Sequence, residues 1–160
     1  MRDLGARVGM RAQSLYAYFP SKHAIYDAPF AAANHELLDR VTVSPPASDP
    51  VEWLRRHARV FLDFCGEDPV RYQLLFQRTI PGFVPTAESY APAVAVLDDA
   101  RSALGACGIT EPRGFDTWTA VTAGLAGQQN SNEPGGDRWV RLADEVIHML
   151  PGDYRPADQG

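Results

Sequence analysis

The chain has 160 residues, 45% hydrophobic and 22% charged, which is enough apolar material for one medium domain with its own core. Those fractions exclude a disordered tail and a collagen-like chain. No apolar run is long enough to span a membrane, and no basic-then-apolar stretch has the layout of a secretory signal. Cys65 and Cys107 are the only cysteines. They fit neither a zinc site nor a redox pair, and suit a reducing cytoplasm better than a disulfide scaffold. The net charge of −5 is unevenly placed. Residues 1–22 hold four basic side chains against Asp3 alone, net +3, whereas the remainder holds 11 basic and 19 acidic, net −8. A basic head on an acidic body suggests one anion-facing end.

Strand signals are weak throughout, and helical spacing recurs between prolines and glycines. Residues 2–8 read as a short helix stopped at Gly9, and residues 12–19 as a second stopped by Pro20. Ser21 can cap a third helix running to about Val41, before the break at Ser44-Pro45-Pro46. Pro29 falls inside that third helix, so a kink or split is expected near residues 25–29.

Asp49-Pro50-Val51-Glu52 is a strong start signal: Asp caps, Pro takes the first helical position, and Glu suits the dipole. Trp53, Leu54, His57, Val60, Phe61 and Phe64 follow at helical spacing up to Gly66. Asp68-Pro69 repeats the signal for a helix ending near Ile80-Pro81-Gly82, and Phe83 to about Tyr90 reads as a proline-broken loop. Val94, Leu97, Ala100 and Leu104 mark another helix, ended near 105–108. Helices are then expected from about Phe115 to Gln129 and from Asp137 to Leu150, with turn formers between them and a frayed end over 151–160. The expectation is an all-α fold of about eight helices: a head and connecting helix over residues 1–43 and a helical body over 44–160.

The first 26 residues carry the most specific pattern. Leu4, Val8, Met10, Leu15 and Phe19 form an apolar set, with Gly9 between two short helices where a tight helix-turn-helix needs it. The second helix bears Arg11, Gln13, Ser14, Tyr16 and Tyr18 on faces that Leu15 and Phe19 leave free. These are donors and flat rings suited to phosphates and base edges in a major groove. Lys22 follows at the start of the next helix, where an ammonium beside exposed amides would clamp a phosphate. Packing within the small head is the other role open to Tyr16 and Tyr18.

Asp3-Leu4-Gly5-Ala6-Arg7-Val8-Gly9-Met10, followed by Leu15-Tyr16-Ala17-Tyr18-Phe19-Pro20-Ser21-Lys22, resembles the DNA-binding motif of the TetR family of bacterial transcriptional repressors. The fixed positions of that family's Leu-Tyr-x-x-Phe-x-x-Lys run are present as Leu15, Tyr16, Phe19 and Lys22. The resemblance is specific over about residues 2–26 and architectural beyond them. It implies that Tyr16 and Lys22 contact phosphates of a double-stranded DNA operator while Arg11, Gln13, Ser14 and Tyr18 face the groove. Gly5 stands where the family usually has Ala, at a cost of about 1 kcal/mol in a helix interior. The family also has a full helix before this motif, and this chain starts at the motif. A head that small cannot cover its apolar face, so the expectation is an N-terminally incomplete chain that dimerises and binds operator weakly.

Beyond the head, the resemblance implies a body that binds a small apolar or aromatic effector and forms a homodimer. Phe61, Phe64, Tyr72, Phe76, Phe83, Tyr90 and Trp118 are the candidates to line the cavity as a set; taken one by one, plain core is the reading each favours. His57 and Gln73 could add polar contacts there. Ala120, Ala123, Gly124, Ala126 and Gly127 recur at spacings of three and four, which lets another helix come close. By resemblance the last two long helices form the dimer interface, with contacts from Trp118, Val121, Leu125, Trp139, Val140, Leu142, Val146 and Ile147; an intramolecular core is the alternative.

No cofactor-binding or metal-ligand spacing is found, and no nucleophile elbow or phosphate-cradling loop. His23, His35, His57 and His148 are scattered, and Asp98-Asp99 and Glu67-Asp68 point about 100° apart on a helix. The sequence therefore reads as a ligand-responsive repressor rather than an enzyme, with no membrane partner. The alternative is a ligand-binding dimer that has lost DNA binding.

Overall fold

The computed structural model describes residues 21–43 and 49–153, with backbone alone for 148 and 150–153. Six helices make up these residues: α1 Lys22–Thr42, α2 Pro50–Glu67, α3 Pro69–Phe76, α4 Ala87–Ala106, α5 Pro112–Asn132 and α6 Arg138–Asp153. No strand occurs among the described residues, so the fold is all-helical there. The two short helices expected before Pro20 lie outside them. None of the described helices is long and apolar enough to cross a membrane.

The start signals act as the sequence predicts. Ser21 Oγ accepts from the Ala24 N–H at 3.1 Å, and Asp49 Oδ1 from the Val51 N–H at 3.0 Å. Asp68 closes α2 and caps α3, accepting from the Val70 and Arg71 N–H groups at 2.9 and 3.0 Å. Each cap satisfies amides that the first turn leaves without helical partners.

Several features differ from the expectation: α5 is about one turn longer at each end than expected, and α6 continues past Leu150 to Asp153. α4 begins at Ala87 rather than after Tyr90, because Thr86 Oγ1 accepts from the Ser89 N–H at 3.2 Å and starts the helix ahead of Pro92. α3 ends at Phe76, one turn early. Pro29 does not split α1, which is one helix from Lys22 to Thr42. Its ring lies on the exposed side, where water can replace the lost backbone bond.

α1 packs chiefly along α4, and α2 lies centrally, against α4, α5 and α6. Leu54, Leu62, Phe64, Cys65, Leu104 and Ile147 are fully buried between them. After α4, Gly108 takes φ +82 while the Ile109 N–H reaches back to the Leu104 carbonyl at 2.9 Å; only glycine adopts that turn without strain. The loop from α5 to α6 is stapled by the buried Gln129. Its Nε2 donates to the Glu133 and Gly136 carbonyls, and its Oε1 accepts from the Trp139 N–H at 3.2 Å.

Candidate functional site

A cavity of about 210 Å³ lies where α1, α2, α3, α4 and α5 converge. α1 contributes Phe30, Asn34 and Leu37; α2 His57 and Phe61; α3 Leu75 and Phe76. α4 lines one wall from Tyr90 to Ala100, and α5 closes another with Trp118, Thr119, Thr122 and Ala123. Phe76 is 40% exposed and Tyr90 44%, so the cavity meets the surface beside them.

The polar atoms in this apolar lining decide its chemistry. The His57 ring sits 4.6 Å from Trp53 and 6.3 Å, edge-on, from Trp118. It is 7% exposed, and its Nδ1 is buried without a hydrogen-bond partner. Burial pushes the imidazole down to about 4, so it is neutral at pH 7. Asn34, 2% exposed, uses its Nδ2 on the Phe30 carbonyl at 2.9 Å. Thr122 and Thr119 donate their hydroxyl hydrogens to the Trp118 and Asp116 carbonyls, at 2.9 and 3.0 Å. Among the described residues, no charged side chain lines the cavity.

A second, open groove of about 910 Å³ runs along residues 78–87 and shares Phe30, Leu75, Phe76 and Tyr90 with the cavity. Phe83 anchors that segment to the start of α1 by edge contacts to Tyr26 and Phe30, each at 5.9 Å, and to His23 at 6.3 Å. Asp27 completes the attachment, accepting from the Thr86 N–H and hydroxyl at 2.9 Å each and from the Ser89 hydroxyl at 2.6 Å. Desolvation works to raise the Asp27 carboxyl, and these hydrogen bonds outweigh it and hold the group below its ordinary value. The cavity wall is thereby tied to the first turns of α1.

A scan against protein-family models finds no match for this chain, and no curated protein matches its sequence.

Of the aromatic residues singled out from the sequence, Phe61, Phe76, Tyr90 and Trp118 line the cavity, and Phe83 lines the adjoining groove. Phe64 and Tyr72 do not. Phe64 is fully buried under Arg71, whose guanidinium lies 3.8 Å from the ring, with Arg40 at 5.4 Å. Tyr72 packs against α5, its hydroxyl 3.3 Å from where a Cβ on Gly127 would stand. His57 lines the cavity, whereas Gln73 is exposed and away from it.

Among the residues assigned to an interface between copies, Trp118, Leu125 and Ile147 are 3%, 7% and 1% exposed within the single chain. Their contacts are intramolecular, which corrects that assignment for these three. Val121, Trp139, Val140, Leu142 and Val146 are half-buried. The small-residue stripe also divides: Ala126 and Gly127 face the core and Tyr72, while Ala120, Ala123 and Gly124 are exposed. Lys22 is exposed at the first position of α1, with no acidic residue in that turn. Arg11, Gln13, Ser14, Tyr16 and Tyr18 lie outside the described residues.

Sequence reasoning missed Asn34, Leu37, Leu75, Val96, Thr119 and Thr122. Two of them leave a readable trace. Asn34 interrupts the apolar run Phe30, Ala33, Leu37, Val41, and Thr122 lies one turn from Trp118, so each is a lone polar side chain on a buried face.

Proposed function

We propose that this protein is a ligand-responsive transcriptional repressor of the TetR type, binding a palindromic operator as a homodimer and released by a small apolar effector. The observation that carries the ligand half is the aromatic cavity with its unpartnered, neutral His57. Among the described residues no carboxylate stands beside His57 to orient it as a catalytic base, and no carboxylate or thiol lines the cavity. That supports binding over catalysis. Burial pushes the Cys65 thiol up to about 12, far from the thiolate a nucleophile needs.

The DNA half rests on Leu15, Tyr16, Phe19 and Lys22 in the sequence, and on the setting of Lys22. A cation at a helix start free of acidic residues suits a phosphate. Two such heads must stand about 34–36 Å apart to enter successive major grooves. An effector that favours a body with another spacing shifts the population off DNA. The Asp27–Thr86–Ser89 attachment offers a route, since α4 both walls the cavity and grips α1. The exposed Ala120 and Gly124 of α5 offer a face on which a second copy can pack closely.

The test is selection of duplexes from a random double-stranded library, followed by mobility shifts of the winners. The expected result is a palindromic site, bound with strong salt dependence and lost on adding a cavity ligand. Failure to enrich any duplex refutes the repressor reading and leaves a ligand-binding protein.

A further inference from the structure

The cavity specifies the class of its ligand, an inference that rests on reading the cavity as a ligand site. Six of its side chains carry a polar atom, Asn34, His57, Tyr90, Trp118, Thr119 and Thr122, and three of these have spent hydrogens on the backbone. Asn34 Nδ2 spends one hydrogen on the Phe30 carbonyl, and because a carbonyl needs a donor, that bond fixes Oδ1 as the acceptor the amide keeps beside its second N–H. The Thr119 and Thr122 hydroxyls donate to carbonyls one turn back, which leaves their oxygens only as acceptors. His57 adds one acceptor nitrogen and one N–H when neutral, Trp118 an indole N–H, and Tyr90 a hydroxyl that can donate or accept. Acceptors therefore outnumber donors. With no lysine, arginine or carboxylate in the lining, neither an anion nor a cation would find a counter-charge.

Size narrows the class further. A cavity of about 150 Å³ lined by apolar residues holds benzene, and this one measures about 210 Å³. Phe30, Phe61, Tyr90 and Trp118 offer ring faces and edges to a flat occupant. We infer that the cavity takes a neutral aromatic compound of one substituted ring or two fused rings that carries a hydrogen-bond donor, a phenol hydroxyl or an indole-type N–H.

Calorimetric titration of the full chain with indole and 4-methylphenol tests this against indene and 4-methylstyrene, which lack the donor, and against benzoate. Indole and 4-methylphenol are expected to bind at least about fivefold more tightly than the donor-free compounds, the worth of one net hydrogen bond, and benzoate not at all. Thr122→Val keeps the shape of the wall and removes an acceptor; Thr119→Val, His57→Phe and Asn34→Leu remove three more. In at least one of these variants the donor preference should shrink to within twofold while indene binding persists. Equal binding of indole and indene overturns the assignment of class and leaves the ligand cavity standing. A preference unchanged in all four variants also overturns it, as does tight binding of benzoate. Binding of none of the aromatic compounds refutes it too, and the duplex selection then decides the repressor reading separately.

Discussion

Phe64 and His57 lie two turns apart on α2, both buried, in surroundings that differ in kind. Around Phe64 the space is full and the charges are paired. Arg40 reaches Glu67 at 2.7 Å and Glu36 at 2.5 Å, while Arg71 reaches Glu36 at 3.0 Å and the Phe64 carbonyl at 2.7 Å. The hydrogen bond from Arg40 holds the Glu67 carboxyl below its ordinary range, with help from Arg71. Around His57 there is room, and Nδ1 has no partner. Buried aromatics capped by paired charges fix the joint between α1, α2 and α3; a buried polar ring beside empty space leaves that end of the helix able to take an occupant.

The sharpest way to break this contrast is Phe64→Ala. Removing a fully buried ring from a filled site should cost about 3–5 kcal/mol, read as a lower urea midpoint. A loss below about 1 kcal/mol would mean the joint is not packed as described.

Next in size is the pH response of His57. Its folded pKa of about 4 lies below the ordinary 6.5, so between those values the unfolded chain binds more protons. Stability then rises with pH across that window and is lost as pH falls from 6.5 toward 4. The full shift corresponds to something on the order of 3 kcal/mol. Urea denaturation at pH 7, 5.5 and 4.5 should show the decline, and His57→Phe should flatten it relative to the natural chain. Parallel curves for the two proteins would place His57 in contact with solvent.

Paired alanine substitutions sharpen the comparison. Ala58 is fully buried away from the cavity, and Ala100, 1% exposed, lines it. Ala58→Leu should cost about 1–3 kcal/mol by overpacking. Ala100→Leu can turn its added carbons into the cavity, so its cost should stay below that of Ala58→Leu while aromatic ligands no longer bind. Equal costs at both sites would argue that the cavity is closed in solution.

The smallest effect is expected at the surface of α5. A Cβ at Gly124 meets nothing within 4 Å, so Gly124→Arg should leave the single chain folded and, in sedimentation, convert the proposed dimer to monomer. An unchanged sedimentation coefficient would move the interface elsewhere.

The helix starts were legible because they are local. Asp49-Pro50 and Asp68-Pro69 name their caps in adjacent residues, and the structure places those caps where the sequence puts them. Thr86 was harder to see, because the prolines at 85 and 92 suggest a loop and the cap that overrides them is one hydroxyl. The candidate site was legible in part. Aromatic composition pointed to Phe61, Phe76, Tyr90 and Trp118 but equally to Phe64 and Tyr72, since an aromatic at helical spacing looks the same whether it faces a cavity or a guanidinium.

Local patterns along the chain were enough to read the all-helical character of the described residues, most of their helix starts, the basic charge of the first 22 residues with Leu15, Tyr16, Phe19 and Lys22 among them, and the apolar nature of the body. Those follow from spacing and capping within one or two turns. Which buried residues meet empty space and which meet each other came from packing between helices. That depends on how five helices cross. It leaves His57 without a partner, puts Phe64 beneath Arg71, and draws Trp118, Leu125 and Ile147 into the core. The side-chain pattern along any one helix is the same for either outcome, because burial against a neighbour and burial beside a cavity both require an apolar face.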